Sequence, residues 1–152
     1  MKKTALAAVA LASVAALTSA SAAPAAAPVA QTKAAHTLKW KLHETASHDV
    51  GKHGFVGADT IRSFKTGKIV GYDSTTGTYF PATNSARIQV AFSVQGGILV
   101  GQVHGAFTSN DVVFHGRVLK GTGKFQGAQG TIAARPGGSQ DGTTFITIHY
   151  HF

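Results

Sequence analysis

The amino-acid sequence predicts an all-β domain, closed as an antiparallel barrel. Three observations predict it. Apolar and polar residues alternate with a period of two along much of the chain, and no segment carries a helical stripe. Turn signals rich in Gly, Pro, Asn and Asp separate the alternating runs. Gly57, Gly101, Gly105, Gly116, Gly127 and Gly130 fall inside strand-like runs, where glycine marks bends, bulges or close backbone approach, as at barrel corners. A barrel removes the sheet edges that a two-sheet sandwich would only protect, so closure is the preferred arrangement.

The elements follow in chain order. Leu38-Lys39-Trp40-Lys41-Leu42-His43 alternates and reads as the first strand. Phe55 to Phe64 and Ile69 to Tyr72 come next, divided by the turn Lys65-Thr66-Gly67. Arg87 to Val94 alternates as cleanly, and Gly96-Gly97 turns it into Ile98 to Phe107. Ser109-Asn110-Asp111 precedes a run from Val112 to Leu119, and Gly127 to Ala134 follows. Pro136-Gly137-Gly138 then leads into Thr143 to Phe152. The count is roughly seven to nine strands, joined mostly by hairpins.

The segment before them has a different character. Lys2 and Lys3 precede an apolar run from Thr4 to Leu17, and Ala20-Ser21-Ala22 has the A-x-A form of a cleavage site. Residues 1–22 therefore read as a secretory signal peptide, the run being shorter than the ~20 residues a membrane span needs. The protein is expected to be secreted. Residues 23–35 are Ala- and Pro-rich and read as a linker, which leaves 36–152 as the folded domain. There is no cysteine, so export offers it no disulfide. The formal charge is +8; the leader's Lys2 and Lys3 account for two, leaving +6. A basic surface outside the cell favours an anionic cell-surface polymer as a partner. The basic residues are dispersed along the chain, which argues against nucleic acid.

GTGKFQGAQG, Gly121 to Gly130, is the densest glycine stretch, and phosphate binding is the first function to test. Gly121 and Gly123 match the start of G-x-G-x-x-G, but Gln126 takes the third glycine's place and no helix follows. Phe125 stands where a Walker loop needs its hydroxyl. The structural alternative is a tight turn at Gly121-Thr122-Gly123, with Phe125 dropping its ring into the core.

The same residues carry a family resemblance. Gly121, Thr122, Gly123, Phe125, Gly127, Ala128 and Gly130 resemble the late hairpin of the allene oxide cyclase and dirigent barrels. Phe55 to Asp59 with Lys68 to Gly71, and Gly97 to Gly105, are similar to two further strand regions of that superfamily. The resemblance implies eight antiparallel strands around a largely apolar cavity. It implies a small hydrophobic molecule as partner, steering of cyclisation or coupling without a cofactor, and assembly as a dimer or trimer. The departures are specific. Where the plant cyclases place a Glu and an Asn on the first strand, Lys41 and His43 stand here, and their cavity cysteine has no counterpart.

Candidate site residues follow from both readings. The resemblance turns Lys41 and His43 inward, where with Asp59 they form the candidate catalytic set; an imidazole can carry a proton near neutral pH. The alternation alone favours the reverse, with Trp40, Leu38 and Leu42 inside and Lys39, Lys41 and His43 in solvent. Glu44, one residue beyond His43, faces the other way. Trp40, His104 and Tyr150 are candidate ligand contacts. His149 and His151 share a strand face, but a pair does not make a metal site, and none is assigned. The acids fall mostly at expected turns, and a carboxylate-pair glycosidase is not expected. A non-catalytic envelope-binding barrel is the alternative reading.

Overall fold

The computed structural model describes residues 34–108, 112–137 and 142–152. The signal peptide and nearly all of the linker lie outside the described residues, as do the turn residues 109–111 and Gly138. Eight strands run in chain order: β1 His36–Val50, β2 Gly54–Ser63, β3 Ile69–Phe80, β4 Ser85–Val94, β5 Gly97–Ala106, β6 Phe114–Gly121, β7 Gln129–Pro136 and β8 Thr143–His151. Each pairs antiparallel with the next, and β8 pairs with β1, so the sheet is a closed barrel.

The strands form where the pattern placed them, with differences at the ends. β1 continues seven residues past His43 to Val50. A register shift between Glu44 and Ala46 leaves Thr45 as the extra residue of a bulge, its hydroxyl donating to the Ala58 carbonyl at 2.7 Å. β3 does not stop at Tyr72 but runs twelve residues to Phe80. β7 starts at Gln129, so Gly127 belongs to the preceding turn, with φ of 80°.

Inward faces supply the core. Trp40 and Leu42 of β1, Ile61 of β2, Phe92 of β4, Leu99 of β5, Ile132 of β7 and Ile148 of β8 are buried together. Trp40 and Phe92 hold their ring centroids 5.3 Å apart. Gly116 on β6 sits opposite Val103 of β5, so close that a Cβ there would run into the Gln102 carbonyl oxygen. Gly116→Ala should therefore cost about 3 kcal/mol, read as a lowered urea midpoint at unchanged slope. An unchanged midpoint would show that the barrel can spread at this point.

The glycine-rich stretch lies at one end of the barrel. Residues Gly123–Phe125 make one 3-10 turn after Thr122. The Thr122 amide donates to the Ile98 carbonyl at 2.9 Å and the Lys124 amide to the Gly96 carbonyl at 2.8 Å, tying the turn to the β4–β5 hairpin. Thr122 also accepts from the Ile98 amide through its hydroxyl, at 3.1 Å. Gly123 has φ of 57°, and a Cβ there would meet the Gly96 carbonyl oxygen. The result is that Phe125, 1% exposed, fills the core at this end, with the Tyr150 ring edge-on to it at 5.8 Å, and a groove lined by Leu38, Trp40, Val94 and Phe125 remains open beside it.

Candidate functional site

Towards the other end the core opens into a cavity of about 180 Å³. Its wall is mostly apolar, built from Leu42, Phe55, Val90, Phe92, Phe114 and Ile146 among others. Glu44, Ser47, Asp59, Thr75 and Thr144 supply its polar side chains. Phe55 reaches this wall because its cross-strand partner is Gly77, and the ring lies where a Cβ on Gly77 would be.

The polar part of the wall is an ordered row. In the sheet register Glu44 of β1 is opposite Asp59 of β2, Asp59 is opposite Asp73 of β3, and Asp73 is opposite Phe92 of β4. Residues directly opposite one another project to the same face, so all three carboxyls point inward. Three of the chain's six acids therefore lie side by side on the inner wall. Glu44 is the exposed member and accepts from the Ser47 hydroxyl at 2.7 Å. Asp59 is half-buried and lines the cavity. Asp73 is only 5% exposed, and neither of its oxygens has a hydrogen-bond partner.

Burial sets the protonation of the inner pair. It disfavours the charged form of Asp73, and the Asp59 carboxylate beside it adds repulsion; together they push Asp73 up to about 8. Burial also raises Asp59; the Asp73 hydrogen bond opposes this, Glu44 adds to it, and His43 weakly opposes it. Two ionised carboxylates have no donor between them, which is why the Asp73 oxygens stand unpaired. One shared proton supplies that donor, so near neutral pH the pair holds one proton between its two members.

The residues singled out from sequence are distributed differently. Asp59 lines the cavity. Lys41 and His43 do not: they lie on the outer face, as alternation with the buried Trp40 and Leu42 requires, which corrects the inward placement implied by the resemblance. The Lys41 ammonium sits over the rings of Phe64 and Phe145, 5.2 and 5.9 Å from their centroids. His104 is also on the outer wall, opposite Arg87 on one side and His115 on the other, and cannot contact a ligand in the interior. Trp40 and Tyr150 do point inward, but both sit towards the Phe125 end and neither is on this cavity's wall; Trp40 lines the separate groove beside Phe125. The exposed His149 is paired with the Thr37 hydroxyl at 2.9 Å. Among the described residues no three His, Asp or Glu side chains are placed to hold a metal ion.

Two members of the row escaped the sequence reading. Glu44 was set aside for facing away from Lys41 and His43, and the side it faces is the interior. Asp73 was placed in a turn because β3 reads backwards: Gly71, Asp73, Thr75 and Gly77 face in, while Val70, Tyr72 and Phe80 face out. The signal that could have found it is the spacing of two from Gly71 through Gly77, small and polar residues on one face throughout.

No family model matches the chain, and no curated protein matches it by sequence. Solved structures do match its shape. A pterocarpan synthase dirigent protein is 18% identical, with a TM-score of 0.64, covering 88% of this chain and 99% of its own. A pyocyanin demethylase is 17% identical, with a TM-score of 0.62, over 76% of this chain and 99% of its own. An exo-specific intermolecular Diels-Alderase is 14% identical, with a TM-score of 0.59, over 80% of this chain and 98% of its own. At these identities the likeness is one of fold: the chain is a closed eight-stranded antiparallel barrel similar in shape to these proteins, and nothing in the matches points to allene oxide cyclase in particular.

Proposed function

We propose that the barrel binds a small, largely apolar molecule in its cavity and steers its cyclisation or coupling, with the Asp59–Asp73 pair holding one proton and Asp59, its member on the cavity wall, passing it to the bound molecule. The observation that carries this reading is the inward Asp59–Asp73 carboxyl pair, with Asp59 on the wall of a mostly apolar cavity. The names of two structural neighbours, a dirigent synthase and a Diels-Alderase, support the reaction class.

The chemistry follows from the site. A carboxylic acid that keeps its proton near neutral pH can donate it to an oxygen or carbon of the bound molecule as charge develops there. The leftover charge is spread over the Asp59–Asp73 pair. The apolar wall excludes water, so the activated molecule closes on itself or on its partner rather than being hydrated. Leu42, Val90, Phe92 and Ile146 restrict the conformers that fit. Export through the leader at 1–22 belongs to the same reading, and the N-terminus of protein recovered from the medium should be Ala23.

Native mass spectrometry of protein recovered from its own medium tests the binding: a retained apolar molecule supports it, and repeated absence against a panel of lipids and polyketides overturns it. Turnover of whatever is retained then tests the acid. Asp59→Asn should keep the ligand but lose roughly 10²–10⁴-fold in rate. An unchanged rate would remove Asp59 from the chemistry.

A further inference from the structure

The cavity wall is charged in one sense only. Its only charged lining residues among those described are Glu44 and Asp59, and Asp73 stands next to Asp59 in the same cross-strand row, whose neighbouring members are ~4.5–5.5 Å apart at Cα. Among the described residues no Lys, Arg or His lines the cavity. The lysines and arginine on the same strands, Lys39, Lys41 and Arg62, are on the outer wall, where Arg62 donates to the Gly67 carbonyl. Lys41 in particular, which could have received an acidic ligand, is held outside between two phenyl rings.

We propose that the molecule this barrel accepts carries a basic or cationic nitrogen, a protonated amine or an N-heterocycle, seated against the carboxyl row, and that carboxylate-bearing molecules are excluded. The inference rests on the binding reading above and names its substrate class. Two independent features support it. Asp73 is buried, and the one proton shared with Asp59 can satisfy only one of its two oxygens, whereas buried acceptors are normally satisfied; an N–H group entering beside Asp59 supplies further donors to the row. A ligand carboxylate would instead bring a like charge into a low-dielectric cavity that offers no cation. The cavity is comparable with the ~150 Å³ apolar space that admits a benzene ring, so the part held inside is about one ring in size, with the nitrogen near it.

The exterior makes the test discriminating. Among the described residues every Lys and Arg except Lys41 is exposed, so unspecific adsorption to this protein ranks anions above cations. Selection inside the cavity ranks them the other way. The experiment uses the full mature chain and three matched sets of probes: benzyl, indolyl and naphthyl compounds, each as alcohol, amine and carboxylate. Affinities are read by ligand-observed NMR at 0.15 M salt. Within at least one ring class the amine should bind roughly tenfold or more tighter than the alcohol, and the carboxylate roughly tenfold weaker. Glu44→Gln with Asp59→Asn should bring the three within about threefold of one another, and Glu44→Gln alone, at the exposed end of the row, should narrow the gap part-way. Equal binding of the three head groups, or tightest binding of the carboxylate, overturns the inference and leaves the binding reading standing. No binding by any probe of any ring class overturns both.

Discussion

Replacing Asp73 by Asn is expected to stabilise the protein at pH 8 and above by on the order of 3 kcal/mol, and to leave it unchanged below about pH 4. In the unfolded chain this carboxyl ionises near its ordinary value of 3.8, whereas in the barrel it ionises near 8. Below pH 4 both states hold the proton and the group has no effect. Between 4 and 8 the unfolded chain releases a proton that the folded barrel keeps, so stability falls as pH rises, and it levels off above 8. The raised Asp59 adds in the same direction over its own range. Asparagine removes this dependence and can donate its amide to Asp59. Denaturation midpoints of the two proteins, measured from pH 4 to 9, should coincide at the acid end and diverge towards the alkaline end. Parallel curves would mean that Asp73 ionises normally in the fold. The expected gain has a functional meaning: the wild-type chain holds a destabilising acid where a neutral residue would fold better, the usual mark of a group kept for chemistry.

The second large effect concerns Phe125. Phe125→Ala should cost about 3–5 kcal/mol, since it removes a ring that is 1% exposed from the end of the core and leaves a void under Tyr150. For a domain of this size that is a fall in Tm of roughly 10–20 °C. Phe125→Leu, which refills most of the volume, should recover more than half of it. A small loss from the alanine variant would show that neighbouring chain collapses into the space. The turn itself should persist in either variant, because the amides of Thr122 and Lys124 and the hydroxyl of Thr122 hold it to Gly96 and Ile98 independently of the ring.

The legible and illegible parts of this fold differ for physical reasons. β4 could be read because Val90 and Phe92 are large and inward, and Arg87, Gln89 and Ser93 polar and outward. β8 could be read from Ile146 and Ile148 in the same way. β3 obeys the same geometry with the opposite chemistry, so its hydrophobic pattern ended four residues after it began while the strand went on to Phe80. The inner wall beside a cavity has no core to fill, and small or polar side chains there are what leaves room for a ligand. The site shares this property. Asp59 was legible because the stretch Phe55 to Asp59 is part of the family resemblance. The grouping of Glu44, Asp59 and Asp73 depends on the register of three strands and on the bulge at Thr45, which spacing along a single chain does not record. The glycine-rich stretch was legible as a turn with a core ring, and its tie to the β4–β5 hairpin emerges only from the closed sheet.

The placing of the cavity also constrains how such a protein can turn over. The exposed residues of its lining, Glu44, Ala46, Ser47 and Pro136, stand at one end, so in the binding reading substrate and product share that doorway. A molecule still inside blocks its successor, so a product of similar shape should inhibit competitively, and the residence time of that product sets a ceiling on the rate however fast the proton transfer within.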